Sequence, residues 1–449
     1  MAGSRHRSQE LSDTTFNIKA FGAVGDGVKM ETEALQAAID KCHATGGGVV
    51  RIPAGRYQLG TVVLKSHVAL SLDFGAYLLG SQDLEDYPTE HLRPAREGQA
   101  HCLFYAEDAV DIRFEGLGEI DGRGKRECWP RKAGPGGRDL RPRLIRMENC
   151  ERITFSGLCY RDPVFWGIHL VDCRDVVFTA VTVRFRDNHA NNDGIDLDGC
   201  ENVLIENCDI DSGDDAICLK SSLNPCRDIV VRDCVATSAT AAVKFGASSS
   251  GGFIGVSVTN CHFYDCPMGA IKLELVDGGK LENVVISRIV MENVGSPLFV
   301  RLGNRGRVYT AGKRGRGGQG PDVAPEGAPV GLLRNVRVTD VVAEVKGDDK
   351  AKQGAIMITG IPDACVEDII LENVTVSFPG GGTAEDAARQ VPEDTARYPE
   401  QFFFGVLPAW GSYIRHARNI QFVNVLLDAR TADARKRIVL DDVTDFQEL

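Results

Sequence analysis

Glu151-Arg152-Ile153-Thr154-Phe155 returns as Arg174-Asp175-Val176-Val177-Phe178, as Glu201-Asn202-Val203-Leu204-Ile205 and as Arg227-Asp228-Ile229-Val230-Val231. Later copies are Glu282-Asn283-Val284-Val285-Ile286, Arg334-Asn335-Val336-Arg337-Val338 and Arg418-Asn419-Ile420-Gln421-Phe422. Each is a small polar pair followed by alternating apolar positions. Period-two alternation over four or five residues predicts a short strand with one buried face. The first apolar positions of the first four copies, 153, 176, 203 and 229, are 23, 27 and 26 residues apart. Strands returning at this period, with no regular helices between them, predict an all-β, single-stranded parallel β-helix in which each repeat is one coil.

Working outward, the cysteines follow the same rhythm. Cys150, Cys173, Cys200 and Cys226 each precede a repeat strand, and Cys208, Cys234 and Cys261 form a second series. Equivalent positions stack in a coil, and a free thiol is a small, readily buried side chain. A buried thiol ladder is therefore expected, with disulfides between coils as the other reading. No Cys or His grouping has metal-ligand spacing, so no metal is expected. Upstream, Ala34, Leu35, Ala38, Ile39 and Cys42 have helical spacing and end at Gly46-Gly47-Gly48, which predicts a helix capping the open end of the first coil. Residues 1–15 read as a disordered tail and 16–449 as one domain, because a solenoid grows by adding coils. Two stretches break the repeat and read as long loops, near 303–329 and 379–400.

Composition limits the partners. The chain of 449 residues has a net charge of −12, which argues against nucleic acid or an anionic membrane as the main partner. No apolar run is long enough for a membrane helix. The first fifteen residues carry no apolar signal core, so a cytoplasmic location is expected, or a secreted or periplasmic one if a leader has been removed.

Two segments carry the chemistry. Asp193 lies in Asn191-Asn192-Asp193-Gly194, and Asp214 and Asp215 lie in Ser212-Gly213-Asp214-Asp215, so the acids are 21 and 22 positions apart. That is close to one coil, which would stack them on neighbouring turns. Clustered carboxylates are the minimum equipment for cleaving a glycosidic bond. A structural aspartate turn or an oxygen-ligand Ca²⁺ site is the competing reading. Adjacent strand residues point to opposite faces, so Asp214 and Asp215 can share a face only if the strand ends or bends there.

With these motifs the chain resembles the polygalacturonase family of glycoside hydrolases, right-handed parallel β-helix enzymes that cleave pectin with inversion. The resemblance runs from Phe16-Asn17-Ile18-Lys19-Ala20-Phe21-Gly22 through the last repeats. Of the family's four motifs, Asn-Thr-Asp appears as Asn191-Asn192-Asp193 and Gly-Asp-Asp is intact as Gly213-Asp214-Asp215. Gly-His-Gly is missing, with Ala241 where the histidine would fall. Arg-Ile-Lys is half kept as Ala270-Ile271-Lys272. The resemblance implies that Asp214 is the general acid and that Asp193 and Asp215 hold and activate the water. Loss of the histidine and arginine points away from simple polygalacturonan, toward another α-linked glycan or a subsite built from other cations.

Candidate substrate contacts follow. Lys272 sits among apolar residues and is either a snorkelling lysine or a sugar contact. Lys244 lies near the missing histidine and offers a substitute cation, while Glu274 suits either a sugar hydroxyl or a lysine. Arg301, Asn304 and Arg305 open a segment that continues through Arg307, Lys313, Arg314 and Arg316 without an acid. This is either a solvated loop or a lid that clamps an acidic sugar through bidentate arginines. Trp166 suits sugar stacking or core packing equally, and His189 is close to Asp193 in sequence.

The reading is therefore an inverting glycoside hydrolase cleaving α-glycosidic bonds in a pectin-derived or related oligosaccharide, exo-acting, with no cofactor. The partner is an oligosaccharide or polysaccharide, uronic-acid containing or not. The alternatives are a Ca²⁺-dependent polysaccharide lyase on the same scaffold and a non-catalytic carbohydrate-binding β-helix.

Overall fold

The structure, a computed structural model, describes residues 12, 14–130, 134, 139–185, 190–307, 327, 329–347 and 353–449. Most of the tail expected at 1–15, the centre of the 303–329 loop with Lys313, Arg314 and Arg316, and His189 lie outside the described residues. The chain divides into two compact units. One runs to Asp196 and includes Cys200–Gly213; the other comprises Leu197–Gly199 and Asp214–Leu449. Both are built from parallel strands wound as coils of a β-helix, the all-β class expected.

In the first unit three stacks of parallel strands surround the core. Val110–Gly116, Glu151–Ser156, Arg174–Thr179 and Glu201–Glu206 form one stack, in register so that Ile153, Val176 and Val203 align and Phe155, Phe178 and Ile205 align. All six are buried. Phe155 stacks on Phe178 at 4.5 Å and on Phe114 at 5.4 Å, so the aromatic positions of successive repeats become one column. The helix Thr32–Ala44 buries the five residues with helical spacing. Its glycine stop is steric: at Gly47, with φ +101°, a Cβ would lie 2.5 Å from the His67 carbonyl oxygen. No described helix is long and apolar enough to cross a membrane.

In the second unit the strands Ile217–Lys220, Val243–Phe245, Ile271–Leu275, Leu298–Leu302 and Ile356–Thr359 make the stack that carries the candidate residues, continued by the start of Ala409–Ala429. Lys244 pairs with Lys272 in this register, and Glu274 with Arg301. Inward positions such as Ile271, Leu273 and Leu275 fill the core, leaving the alternate positions facing out.

The polar pair in each repeat has a backbone cause. Its second member is left-handed: Asp175 at φ 55°, Asn202 at 54°, Asp228 at 53°, Asn283 at 60°, Asn335 at 55° and Asn419 at 54°. Asn and Asp tolerate this region better than other side-chain-bearing residues. They also join coil to coil: Asn335 Nδ2 donates to Asn283 Oδ1 at 2.6 Å, Asn419 to Asp368 at 2.7 Å, and Asn202 to Asp175. All fourteen cysteines are free. The ladder thiols are turned toward carbonyls, as with Cys150 Sγ on Glu148 O at 3.3 Å and Cys173 Sγ on Val171 O at 3.4 Å.

If the left-handed corner is what selects the polar residue, Asn283→Val will cost roughly 1–2 kcal/mol more than Asn283→Gly. Both variants lose the side-chain bond, so urea midpoints isolate the backbone contribution. Equal midpoints would refute this explanation of the repeat.

Candidate active site

In the second unit Asp214 and Asp215 lie in the bend that leads into Ile217–Lys220 rather than in the strand, so strand alternation does not separate them. The bend is held from the next coil. Ser238 Oγ donates to Asp214 O at 2.6 Å, and Thr240 N donates to Ser238 Oγ at 2.9 Å. The Thr240 hydroxyl lies 2.7 Å from Asp215 Oδ1 and 3.2 Å from Asp214 Oδ1. A hydroxyl carries one proton. The shorter contact is to Asp215, while Asp214 Oδ1 also accepts from Asp215 N at 3.0 Å. Asp215 is buried. Burial alone would push its carboxyl up, but Lys244, Lys272, the Thr240 hydroxyl and Lys220 together hold it below the ordinary carboxylate range.

Lys244 and Lys272 share one further counter-ion. Lys244 Nζ lies 3.3 Å from Asp215 Oδ2 and 3.0 Å from Glu400 Oε1. Lys272 Nζ is paired with Glu400 Oε2. The Tyr398 hydroxyl lies 3.4 Å from Lys244 Nζ. Every charged member of this network is buried. Burial opposes the charge on Lys244, yet Asp215 and Glu400 raise its pKa well above normal. Glu400 likewise resists burial through Lys244 and Lys272 and titrates below normal.

Glu274 is the exception. It is fully buried, and among the described residues neither carboxyl oxygen has a hydrogen-bond partner. Burial pushes its carboxyl up to about 8 against the pull of Lys244, so near neutral pH it is a protonated acid with a hydroxyl to donate. Gly246 stands over it, where a Cβ would lie 3.3 Å from the Glu274 Cβ and 3.6 Å from Oε2.

Glu400 and Tyr398 belong to the 379–400 excursion, which is an ordered strap. Its short helix Ala384–Ala387 is closed by a capping box between Thr383 and Asp386. Arg301 Nη2 donates to the carbonyls of Glu393 and Asp394, both at 2.9 Å, and Arg415 donates to those of Val391 and Pro392, both at 2.8 Å. Asn304 N adds a bond to Thr395 O at 2.6 Å. Arg305 Nε pairs with Asp277 Oδ1 at 2.8 Å, and its Nη2 reaches Ala247 O at 2.9 Å. The guanidinium groups that sequence offered as a sugar clamp are thus turned inward, onto the strap and Asp277.

In the first unit Asp193 and Asn192 are buried. The Asp193 carbonyl accepts from Gly167 N at 2.9 Å, and Asn192 Nδ2 donates to Phe185 O at 3.2 Å. Gly213 serves this packing: a Cβ there would lie 2.3 Å from Asn192 Oδ1. Trp166 is buried, stacked on Phe165 at 5.0 Å with Arg143 over its ring at 4.8 Å and His169 edge-on at 4.8 Å.

Sequence reasoning missed Glu400, Tyr398 and Thr240. Thr240 stands one residue before the position of the lost histidine, a signal that was available. Glu400 has none, since a strap outside the repeat has no register from which to predict a partner.

Residues 42–313, more than half of the chain, match the model of glycosyl hydrolases family 28. A probable polygalacturonase of Vitis vinifera is 28% identical over 377 residues, covering 79% of this chain and 73% of that protein. An exo-poly-alpha-D-galacturonosidase of Dickeya chrysanthemi is 28% identical over 251 residues, covering 45% of this chain and 41% of that protein. Among solved structures, a hyperthermoactive exopolygalacturonase from Thermotoga maritima matches with a TM-score of 0.73 at 21% identity, covering 94% of this chain and 93% of that one. At that identity the likeness concerns the fold.

Two outcomes test the site's construction. An acid whose folded pKa lies above its unfolded one binds more protons when folded, so Glu274 costs stability as pH rises from 4.5 to about 8. The Tm of Glu274→Gln minus that of the unmutated protein should therefore grow between about pH 5 and about pH 8, and a constant difference would show an ionised Glu274. Separately, Arg301→Ala should speed tryptic cleavage at Arg389 or Arg397 by releasing the strap, and an unchanged cleavage rate would deny Arg301 that role.

Proposed function

The chain belongs to glycosyl hydrolases family 28, glycoside hydrolases of the polygalacturonase type, and from that premise we propose an exo-acting enzyme that hydrolyses α-glycosidic bonds of a pectin-derived oligosaccharide with inversion. The observation that carries the assignment is the intact Gly213-Asp214-Asp215 motif with the Thr240 hydroxyl bridging its two carboxyls. In this reading Asp214 gives its proton to the glycosidic oxygen as the bond to the anomeric carbon breaks. A water attacks that carbon from the opposite face and yields its proton to a carboxylate. Asp215 suits that second task because its neighbours keep it ionised. Asp193 shares the task on the strength of its place in the first motif. The spent acid and base then exchange protons with solvent.

Exo action is proposed by analogy with the Dickeya chrysanthemi relative, named an exo-poly-alpha-D-galacturonosidase. Lys244 supplies the cation beside Asp215 where the family's histidine is missing.

Asp214→Asn should lower kcat by about a thousandfold, within the range for a lost general acid. NMR of the first product should show the inverted anomer, released from one chain end without added Ca²⁺. A retained anomer would exclude inversion, and mid-chain products would exclude exo action. An unsaturated, ultraviolet-absorbing product would replace hydrolysis with β-elimination.

A further inference from the structure

Glu400 holds the two lysines nearest Asp215 that a carboxylated sugar would seek. Its Oε1 lies 3.0 Å from Lys244 Nζ, and its Oε2 is paired with Lys272 Nζ. Lys272 is completely buried, and Lys244 and Glu400 nearly so, which makes this arrangement an internal ion network rather than a loose surface contact. Asp215 already takes the other side of Lys244. A sugar carboxylate brought to these lysines would meet two protein carboxylates already in possession, and like charges in a buried setting are costly.

Displacement of Glu400 is also opposed. Four carbonyls, those of Val391, Pro392, Glu393 and Asp394, are held by Arg415 and Arg301. Gln401, the next residue, donates to Gln353 O at 2.8 Å and to Ala355 O at 2.7 Å. The carboxylate is therefore presented from an anchored backbone on both sides. Next to it, Glu274 is buried, its two carboxyl oxygens have no hydrogen-bond partner among the described residues, and a Cβ at Gly246 would come within 3.6 Å of Oε2. A buried polar group without a partner calls for one, and the hydroxyl of a neutral sugar both donates and accepts.

Resting on the hydrolase reading above, we infer that Glu400 is a specificity-determining residue: a built-in carboxylate that occupies Lys244 and Lys272, so that the subsite beside Asp215 takes a neutral sugar unit whose hydroxyls bond to Glu274. Lys272 is accordingly a positioning residue, acting through Glu400. A uronate residue at this subsite is disfavoured, while other subsites remain free to bind acidic units.

The probes are α-1,4-linked tri-galacturonate and its carboxyl-reduced counterpart of the same linkage. Binding is read by calorimetry in an Asp214→Asn background and turnover in the active enzyme. Glu400→Gln, of similar size, frees lysine charge and should shift the ratio of affinities toward the acidic probe by about tenfold or more, the scale of one charge-assisted bond. Glu400→Ala is the second variant, should the first not fold; it frees the same lysine charge and should shift the ratio the same way. An unchanged ratio in the variant that folds overturns the inference, as does failure to bind either probe. Binding of the reduced probe with the expected shift but without turnover would leave the subsite standing and sink the hydrolase reading. Turnover without the shift would do the reverse.

Discussion

Register between parallel strands is the constraint from which the rest of this structure follows. A side chain repeated every coil has its own counterpart as its neighbour above and below. For apolar residues this is cumulative, as in the Phe114, Phe155 and Phe178 column. For charged residues it is a problem: stacking Lys244 directly on Lys272 places like charges on adjacent strands, an arrangement unfavourable on its own. A solenoid that carries such a pair requires anions brought in laterally. Glu400 enters from outside the repeat for this purpose, and Asp215 meets Lys244 from the preceding bend.

Electrostatics then divides three buried carboxyls of the second unit into different states. Burial pushes each toward neutrality. Asp215 and Glu400 sit against ammonium groups and remain ionised, whereas Glu274, without a hydrogen-bonding partner, gives way and keeps its proton. Identical chemistry is thus sorted by whether the acid is paired directly with a lysine. A single lysine-paired acid would have been a structural ion pair; the contrast among the three places ionised carboxylates and a protonated carboxyl around one pair of lysines.

The fold was legible because it is periodic. Ile153, Val176 and Val203 declared both the strand and its stacking interval, whereas the left-handed corner beside them, occupied by Arg152, Asp175 and Asn202, needed the φ angles. The thiol ladder was legible on the same ground. At the site, Lys244, Lys272 and Glu274 could be placed on one stack from their repeat positions. What could not be read was their partner. Arg301 and Arg305 illustrate the same limit from the other side: an acid-free basic run looks like a surface for anions, but it is the packing of the strap and of Asp277 that determines where those guanidinium groups point. Gly213 stands in the bend before Asp214, and its missing side chain also makes space for Asn192.

Arg301 and Arg415 grip the strap through four main-chain oxygens, and Glu393 adds a side-chain ion pair, its Oε1 3.2 Å from Arg415 Nη1. The main-chain part of this clasp is indifferent to which side chains the strap carries at Val391 or Asp394. Residue identity along the segment can therefore drift while its path over the sheet stays fixed. The scaffold thereby separates where a wall runs from what that wall displays, and a new sugar preference can be acquired by rewriting one position on the strap without renegotiating the coils beneath it.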